Sequence, residues 1–310
     1  MTQLSIEEHS PLAGLAVGSR KGVRVRWRPA VALLAPSLVL LIAFTYWPVA
    51  RVLAESFVTG RFVTDHALGF GNYRRLFADP HFAQAAWNNV VYAAGTIVPS
   101  LVLALGFAMA LREGSKLNTV FRTLLVMPLL IPLVAAAALF TFLFLPGDGL
   151  VDFYLARFGF GMVNWFGDPD LALGSVIAVT VWKNTGYYML FFLAGLAGLP
   201  QDLLDAATID GAGAWRRFYA VMLPLLGPTF GFVVPVALLN ALTQIDHVIT
   251  VTQGGPSDAT NLLLYYIYQQ AAQNYDTGLA SAATVVSVAA LLSLSLISFR
   301  ALERGVHYES

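Results

Sequence analysis

The sequence predicts an all-α integral membrane protein with six transmembrane helices. Of its 310 residues 57% are hydrophobic and only 12% charged, whereas charged residues make up about 25% of a soluble domain. Six apolar stretches reach the roughly 20 residues that a helix needs to cross a bilayer, and Lys and Arg concentrate on alternate connecting segments.

The first stretch, 30–49, follows five basic residues, Arg20, Lys21, Arg24, Arg26 and Arg28. That pattern also suits a cleaved signal peptide, but the apolar run exceeds a typical signal core and no small-x-small cleavage site follows before Trp47-Pro48, so a retained helix is expected. The other spans are read at 86–110, 124–145, 171–197, 222–245 and 278–297. Twelve Lys and Arg fall on one face of this arrangement and five on the other, with Lys183 inside the fourth span. Short cytoplasmic loops carry the positive excess, so both termini are expected in the cytoplasm and 51–84, 146–170 and 246–277 outside. Trp27, Trp47, Trp87 and Trp165 fall at expected interfaces, as belt residues do. The expected organisation is a cytoplasmic extension (1–29, its first 19 residues poorly ordered), one six-helix membrane domain (30–300) and a cytoplasmic tail (301–310).

A formal net charge of zero offers no basic face for nucleic acid, and the absence of cysteine removes disulfides, thiolate metal sites and cysteine nucleophiles. There is no G-x-x-x-x-G-K-[ST] phosphate loop, no H-E-x-x-H zinc site and no G-x-S-x-G elbow, and the five histidines are scattered. No catalytic or metal-binding constellation is expected.

The segment between spans four and five, 200–224, carries the most specific pattern. Pro200 suits a helix start, Asp202 an acid in its first turn, and Gly211 the left-handed residue that ends it. A short helix, a break and a second helix are expected. Small Ala206 and Ala207 beside Leu203, Leu204 and Ile209 would let another protein approach closely. An interfacial connector on lipid headgroups is the other reading, which Trp215, Arg216, Arg217, Phe218 and Tyr219 also suit.

The order Asp205-Ala206-Ala207, Asp210-Gly211-Ala212, Arg216-Arg217-Phe218 and Pro224 resembles the EAA loop of binding-protein-dependent ABC importer permeases, with Asp205 where that pattern begins with Glu. Gly71-Asn72-Tyr73, 118–128 with Arg122, and Thr252-Gln253-Gly254-Gly255-Pro256 extend the resemblance to the maltose-type, carbohydrate-uptake branch. Trp47-Pro48, 144–150, Val181-Trp182-Lys183 and Tyr266-Ile267-Tyr268 are most similar to glycerol-3-phosphate importers within it. The resemblance implies a type I ABC importer permease fold in the bacterial inner membrane. It implies that the 200–224 loop is a coupling helix docking on an ATPase. It also implies a second homologous permease subunit, two ABC ATPases holding ATP and Mg, and an extracytoplasmic solute-binding protein. A disaccharide or trehalose-type sugar permease is the alternative, and a channel or membrane enzyme without an ATPase partner a more distant one.

For a substrate path, Thr180, Lys183, Asn184 and Tyr187 form one polar stripe on span four, and Asn240, Gln244 and His247 another on span five at helical spacing, with Asp246 beside it. Lys183 offers a point charge to a phosphate. Equally, it can pair with Asp246 or snorkel to the outer interface. Tyr265, Tyr266 and Tyr268, beside Asn274 and Tyr275, are read either as a docking surface for a binding protein or as an aromatic belt, and Gly254-Gly255-Pro256 as a turn.

Overall fold

A computed structural model describes residues 27–59 and 67–303. The expected poorly ordered N-terminal residues, most of the leading basic cluster, Arg61 and the end of the tail lie outside the described residues. The chain divides into two units at Val49/Ala50, and each is described by itself.

The first unit contributes α1 (Trp27–Leu41) and a π-helical turn at Ile42–Tyr46, and α2 (Trp47–Ser56) continues the same run into the second unit. Leu33, Phe44 and Trp47 are exposed on it, a distribution suited to lipid and not to water. The apolar run long enough to cross a membrane ends at Ser56, seven residues beyond the expected end at 49.

In the second unit two short strands of two residues each, β1 (Val58–Thr59) and β2 (Ala67–Leu68), pair antiparallel in the register Val58 to Leu68. They lead into α3 (Gly71–Ala78) and α4 (Pro80–Ala110). The Asn72 side chain donates to the carbonyls of Ser56 (3.1 Å) and Val58 (2.9 Å), fastening α3 to the strand. Asp79 caps α4 through the amide of His81 at 2.9 Å, with Pro80 in the first turn. At the other end of α4, Arg122 caps its last turn by donating to the carbonyl of Leu111.

The expected continuous third span is not one helix. It consists of α5 (Lys116–Leu130) and α6 (Leu133–Leu143), bent by 102° at the break. The cause is Pro132, which disfavours the helical conformation in the residue before it. Ile131 is accordingly extended, at φ −82° and ψ 126°. Pro128 removes a further helical N–H donor. The apolar composition runs unbroken across this point, so a count of hydrophobic residues passes over it.

A short helix α7 (Leu150–Arg157) then precedes α8 (Pro169–Ala197), the uninterrupted fourth span. Next come α9 (Gln201–Ile209), α10 (Ala214–Arg217), a π-helical turn (Phe218–Met222), α11 (Leu223–Leu225) and α12 (Gly227–Thr243), followed by α13 (Leu263–Tyr268) and α14 (Thr277–Glu303). The fifth span is also interrupted: Gln244 is extended at ψ 102°, and helical structure resumes as a π turn at Val248–Thr252.

The core sits where α4, α8 and α12 meet, with Leu101, Ala104, Leu105 and Ala108 against Tyr188, Met189, Phe192, Val233 and Ala237. Apolar burial drives little between helices in lipid, so small residues that permit close backbone approach carry the packing. Gly186 is the extreme case: a Cβ there would lie 1.8 Å from the carbonyl oxygen of Leu125, so α8 and α5 touch backbone to backbone.

Candidate functional site

The 200–224 loop has the expected form. After Pro200, α9 ends at Asp210, and Gly211 adopts φ +76°. The amides of Asp210 and Ala212 donate to the carbonyls of Ala206 and Ala207, both at 2.9 Å, which satisfies the last turn. The second helix, α10, starts directly after, and Arg217 donates to Thr208 Oγ1 at 2.8 Å, tying the two together. Gln201 donates to Asp205 at 3.2 Å within α9. Outward from this frame project Ile209 and Trp215, 86% and 75% exposed, together with Leu203, Ala206 and Arg216. Trp215 stacks on Tyr219, and Tyr219 lies edge-on to Phe218. Phe218 faces inward and packs against the core, while Pro224 begins the climb into α12.

Behind α9 is a cleft of about 360 Å³ lined by Asp205, Gln201 and Arg217 on the loop and by Arg112 and Glu113 on the α4–α5 connection. Sequence reasoning singled out neither Arg112 nor Glu113. Their charges in a short connection otherwise bound by apolar spans were the available signal.

The polar stripe of α8 is buried apart from half-buried Tyr187, and two of its members, Thr180 and Asn184, meet the span-five residues His247 and Gln244. Asn184 donates to Gln244 at 3.1 Å, and Asn240 donates to the hydroxyl of Tyr188 at 3.1 Å. Tyr187 is half-buried against Tyr188 and Phe191. Because α12 stops at Thr243, Asn240, Gln244 and His247 do not form one continuous helical face. His247 instead lies under Tyr92, rings 5.7 Å apart, with Nε2 3.1 Å from the Tyr92 hydroxyl, which is 2.9 Å from Thr180 Oγ1. Tyr92 and Tyr188 are the polar residues missed, because each reads as ordinary apolar filling. Asp246 is exposed and stands apart from this network.

Lys183 does not pair with Asp246. Its Nζ donates to the carbonyls of Pro128 (3.2 Å), Leu129 (3.5 Å) and Ile131 (2.5 Å) at the end of α5, the first of which also accepts from the Ile131 amide. The residue is 7% exposed. Among the described residues no carboxylate forms a salt bridge with it, so carbonyl dipoles alone face its charge.

On the opposite face, Gly254-Gly255-Pro256 lies in the expected turn, with Gly254 and the preceding Gln253 at positive φ. Tyr265 and Tyr266 are not a docking surface: both are buried, Tyr266 donating to Asp79 at 2.6 Å. Burial, with Asp79 beside it, pushes the Tyr266 hydroxyl well above its ordinary range. Tyr268 and Tyr275 remain exposed. Trp165 is half-buried and donates to Asp152.

A family model described as the inner membrane component of binding-protein-dependent transport systems matches residues 102–308. The sn-glycerol-3-phosphate transport system permease protein UgpA of Escherichia coli (strain UTI89) is 34% identical over 294 residues, covering 94% of this chain and 99% of that protein. UgpA of Salmonella typhimurium (strain LT2) matches with the same identity and coverage. Among solved structures, a chain of a bacterial ABC transporter involved in the import of the acidic polysaccharide alginate superposes with a TM-score of 0.79 at 21% identity, covering 90% of this chain and 96% of that one. The fold is therefore that of a type I ABC importer permease. The chain belongs to the binding-protein-dependent transport inner membrane component family, as the non-catalytic permease subunit of an ABC importer.

Proposed function

We propose that this permease imports sn-glycerol 3-phosphate or a glycerophosphodiester such as glycerophosphocholine across the bacterial inner membrane, with both its termini cytoplasmic. The observation that carries the substrate class is the 34% identity to UgpA over nearly the whole length of both proteins. The working assembly is this chain, a second homologous permease, two ABC ATPases that bind ATP and Mg, and an extracytoplasmic solute-binding protein. One structural neighbour is a bacterial alginate transporter in complex with a substrate-bound periplasmic protein, which supports the last partner.

In this reading α9 docks on an ATPase through Leu203, Ala206, Ala207 and Ile209, with Asp205, Asp210, Gly211, Ala212, Arg216 and Arg217 holding the loop's shape and charge. ATP binding closes the ATPase pair, the loop follows as a rigid body, and the helices exchange between two packed arrangements that nucleotide and cargo both bias. The cargo path runs along Asn184, Tyr187, Asn240 and Gln244, with Asp246 and His247 beyond the break in span five. Lys183, balanced only by carbonyl dipoles, lends that path a positive field.

A second reading, a neutral disaccharide such as trehalose, is favoured by the amide and phenol groups of Asn184, Gln244, Asn240 and Tyr188, which suit sugar hydroxyls. The test is uptake of labelled sn-glycerol 3-phosphate, a glycerophosphodiester and trehalose in cells lacking this gene and in complemented cells. Loss of the phosphorylated compounds alone supports the first reading; loss of trehalose alone replaces it with the second.

A further inference from the structure

The connection between α6 and α8 carries an unusual surface. From 149 to 167 the only charged residues are Asp152 and Arg157. Asp152 is buried: its carboxylate accepts from the amides of Gly147 (2.9 Å) and Val163 (3.0 Å) and from the Trp165 indole (2.8 Å). These bonds, the Gly147 amide first, hold its pKa below the ordinary carboxylate range and keep α7 from rolling about its axis. The face so fixed outward consists of Phe153, Tyr154, Phe158, Phe160 and Met162, all more than half exposed. Its single charge is Arg157, whose guanidinium lies 4.8 Å from the centre of the Phe153 ring.

The height of this face is set by the spans on either side. Gly149 packs on the end of α6, where a Cβ would meet the Leu143 and Leu145 carbonyl oxygens at 2.6 Å. Phe144, the residue after α6, stacks on Trp165 with ring centres 5.2 Å apart. The segment is therefore held against the last residues of α6 and, through Trp165, whose carbonyl accepts from Ser175, next to the start of α8. An aromatic face with a lone cation at that level has the composition of an interfacial helix, and Arg beside aromatic rings suits a headgroup phosphate.

We propose that residues 150–162 form an interfacial anchor whose Phe153, Phe158, Phe160 and Met162 enter the outer leaflet while Arg157 engages an anionic phospholipid headgroup. The occupant is the lipid surface, because both ends of the segment are held at the level of the span ends.

The native chain has no cysteine, which makes the test direct. Phe158→Cys, Met162→Cys and, for reference, Asp148→Cys are spin-labelled in the complete importer, after replacement of partner cysteines, in nanodiscs of phosphatidylcholine with or without phosphatidylglycerol. The anchor requires labels at 158 and 162 to collide more often with oxygen than with a water-soluble nickel chelate, and the label at 148 to show the reverse. Phosphatidylglycerol should deepen the labels at 158 and 162, and Arg157→Gln should remove that deepening. Free access of the chelate at 158 and 162 overturns the proposal in favour of a water-exposed face. Protection from both reagents overturns it in favour of a covering protein subunit. Depth that ignores phosphatidylglycerol overturns the role of Arg157.

Discussion

Two interruptions in the chain look alike in sequence and are built differently. Between α5 and α6 the backbone turns by 102° at Ile131-Pro132, and between α8 and α9 by 73° at Leu199-Pro200. Both are helix, proline, helix. At the second, Gly198 and Pro200 are exposed and free carbonyls can turn to water. At the first, carbonyls inside the membrane domain have no such recourse and converge on Lys183 Nζ. The lesson is that proline decides where a helix stops, while the surroundings decide what must be supplied to tolerate the stop.

Substitutions ordered by their expected effect on stability test that contrast. Gly186→Leu should be the most damaging, because its Cβ would overlap the Leu125 carbonyl and push α8 away from α5. A loss of about 4 kcal/mol or more is expected for such overpacking combined with lost contacts, seen as near absence of folded protein on purification. Lys183→Met comes next. It strands carbonyls of the buried interruption without a donor, at about 1–3 kcal/mol per unsatisfied group, and should lower the thermal midpoint in detergent and reduce uptake of anionic cargo. An unchanged midpoint would mean that the interruption needs no donor.

Gly211→Val should cost about 1–2 kcal/mol, since its φ of +76° is strained for any side chain although the space around it is open. The protein should stay in the membrane while uptake is abolished, which Western blotting and transport assays on the same cells would separate. For Asp152 the folded pKa is displaced downward, so its contribution is present above the ordinary carboxylate pKa and disappears as pH falls through the lower folded value. Melting followed by Trp fluorescence should weaken below about pH 4, and Asp152→Asn should flatten that decline. The smallest effect belongs to Arg51→Ala. Its pair with Glu55, 2.7 Å apart, has the arginine 70% exposed, and such a helical surface pair contributes about 0.5 kcal/mol or less.

The apolar spans, the helix–break–helix form of 200–224 and the left-handed Gly211 were legible because each depends on neighbours in sequence. Hydropathy, a proline start and a glycine stop are local signals. What stayed hidden depends on neighbours in space. The third span read as continuous because its apolar residues do not pause at Ile131, although Pro128 and Pro132 were there to be weighed. The α12 stripe was projected past Thr243 because helical spacing was assumed where the backbone is extended. Tyr265 and Tyr266 read as a surface, but Asp79 on a distant part of the chain draws Tyr266 inward. Lys183 was visible as an anomaly, whereas its carbonyl partners, more than fifty residues away in sequence, were not.

The continuity of α8 gives this arrangement a mechanical reading. One uninterrupted rod carries Lys183 on its flank and ends at Ala197, directly before the loop's first helix. Fourteen residues of rise put these two points about 21 Å apart. On the proposed coupling, a tilt imposed at the loop end of α8 reaches the elbow of span three as a sideways pull through Lys183, with no break in the helix between them.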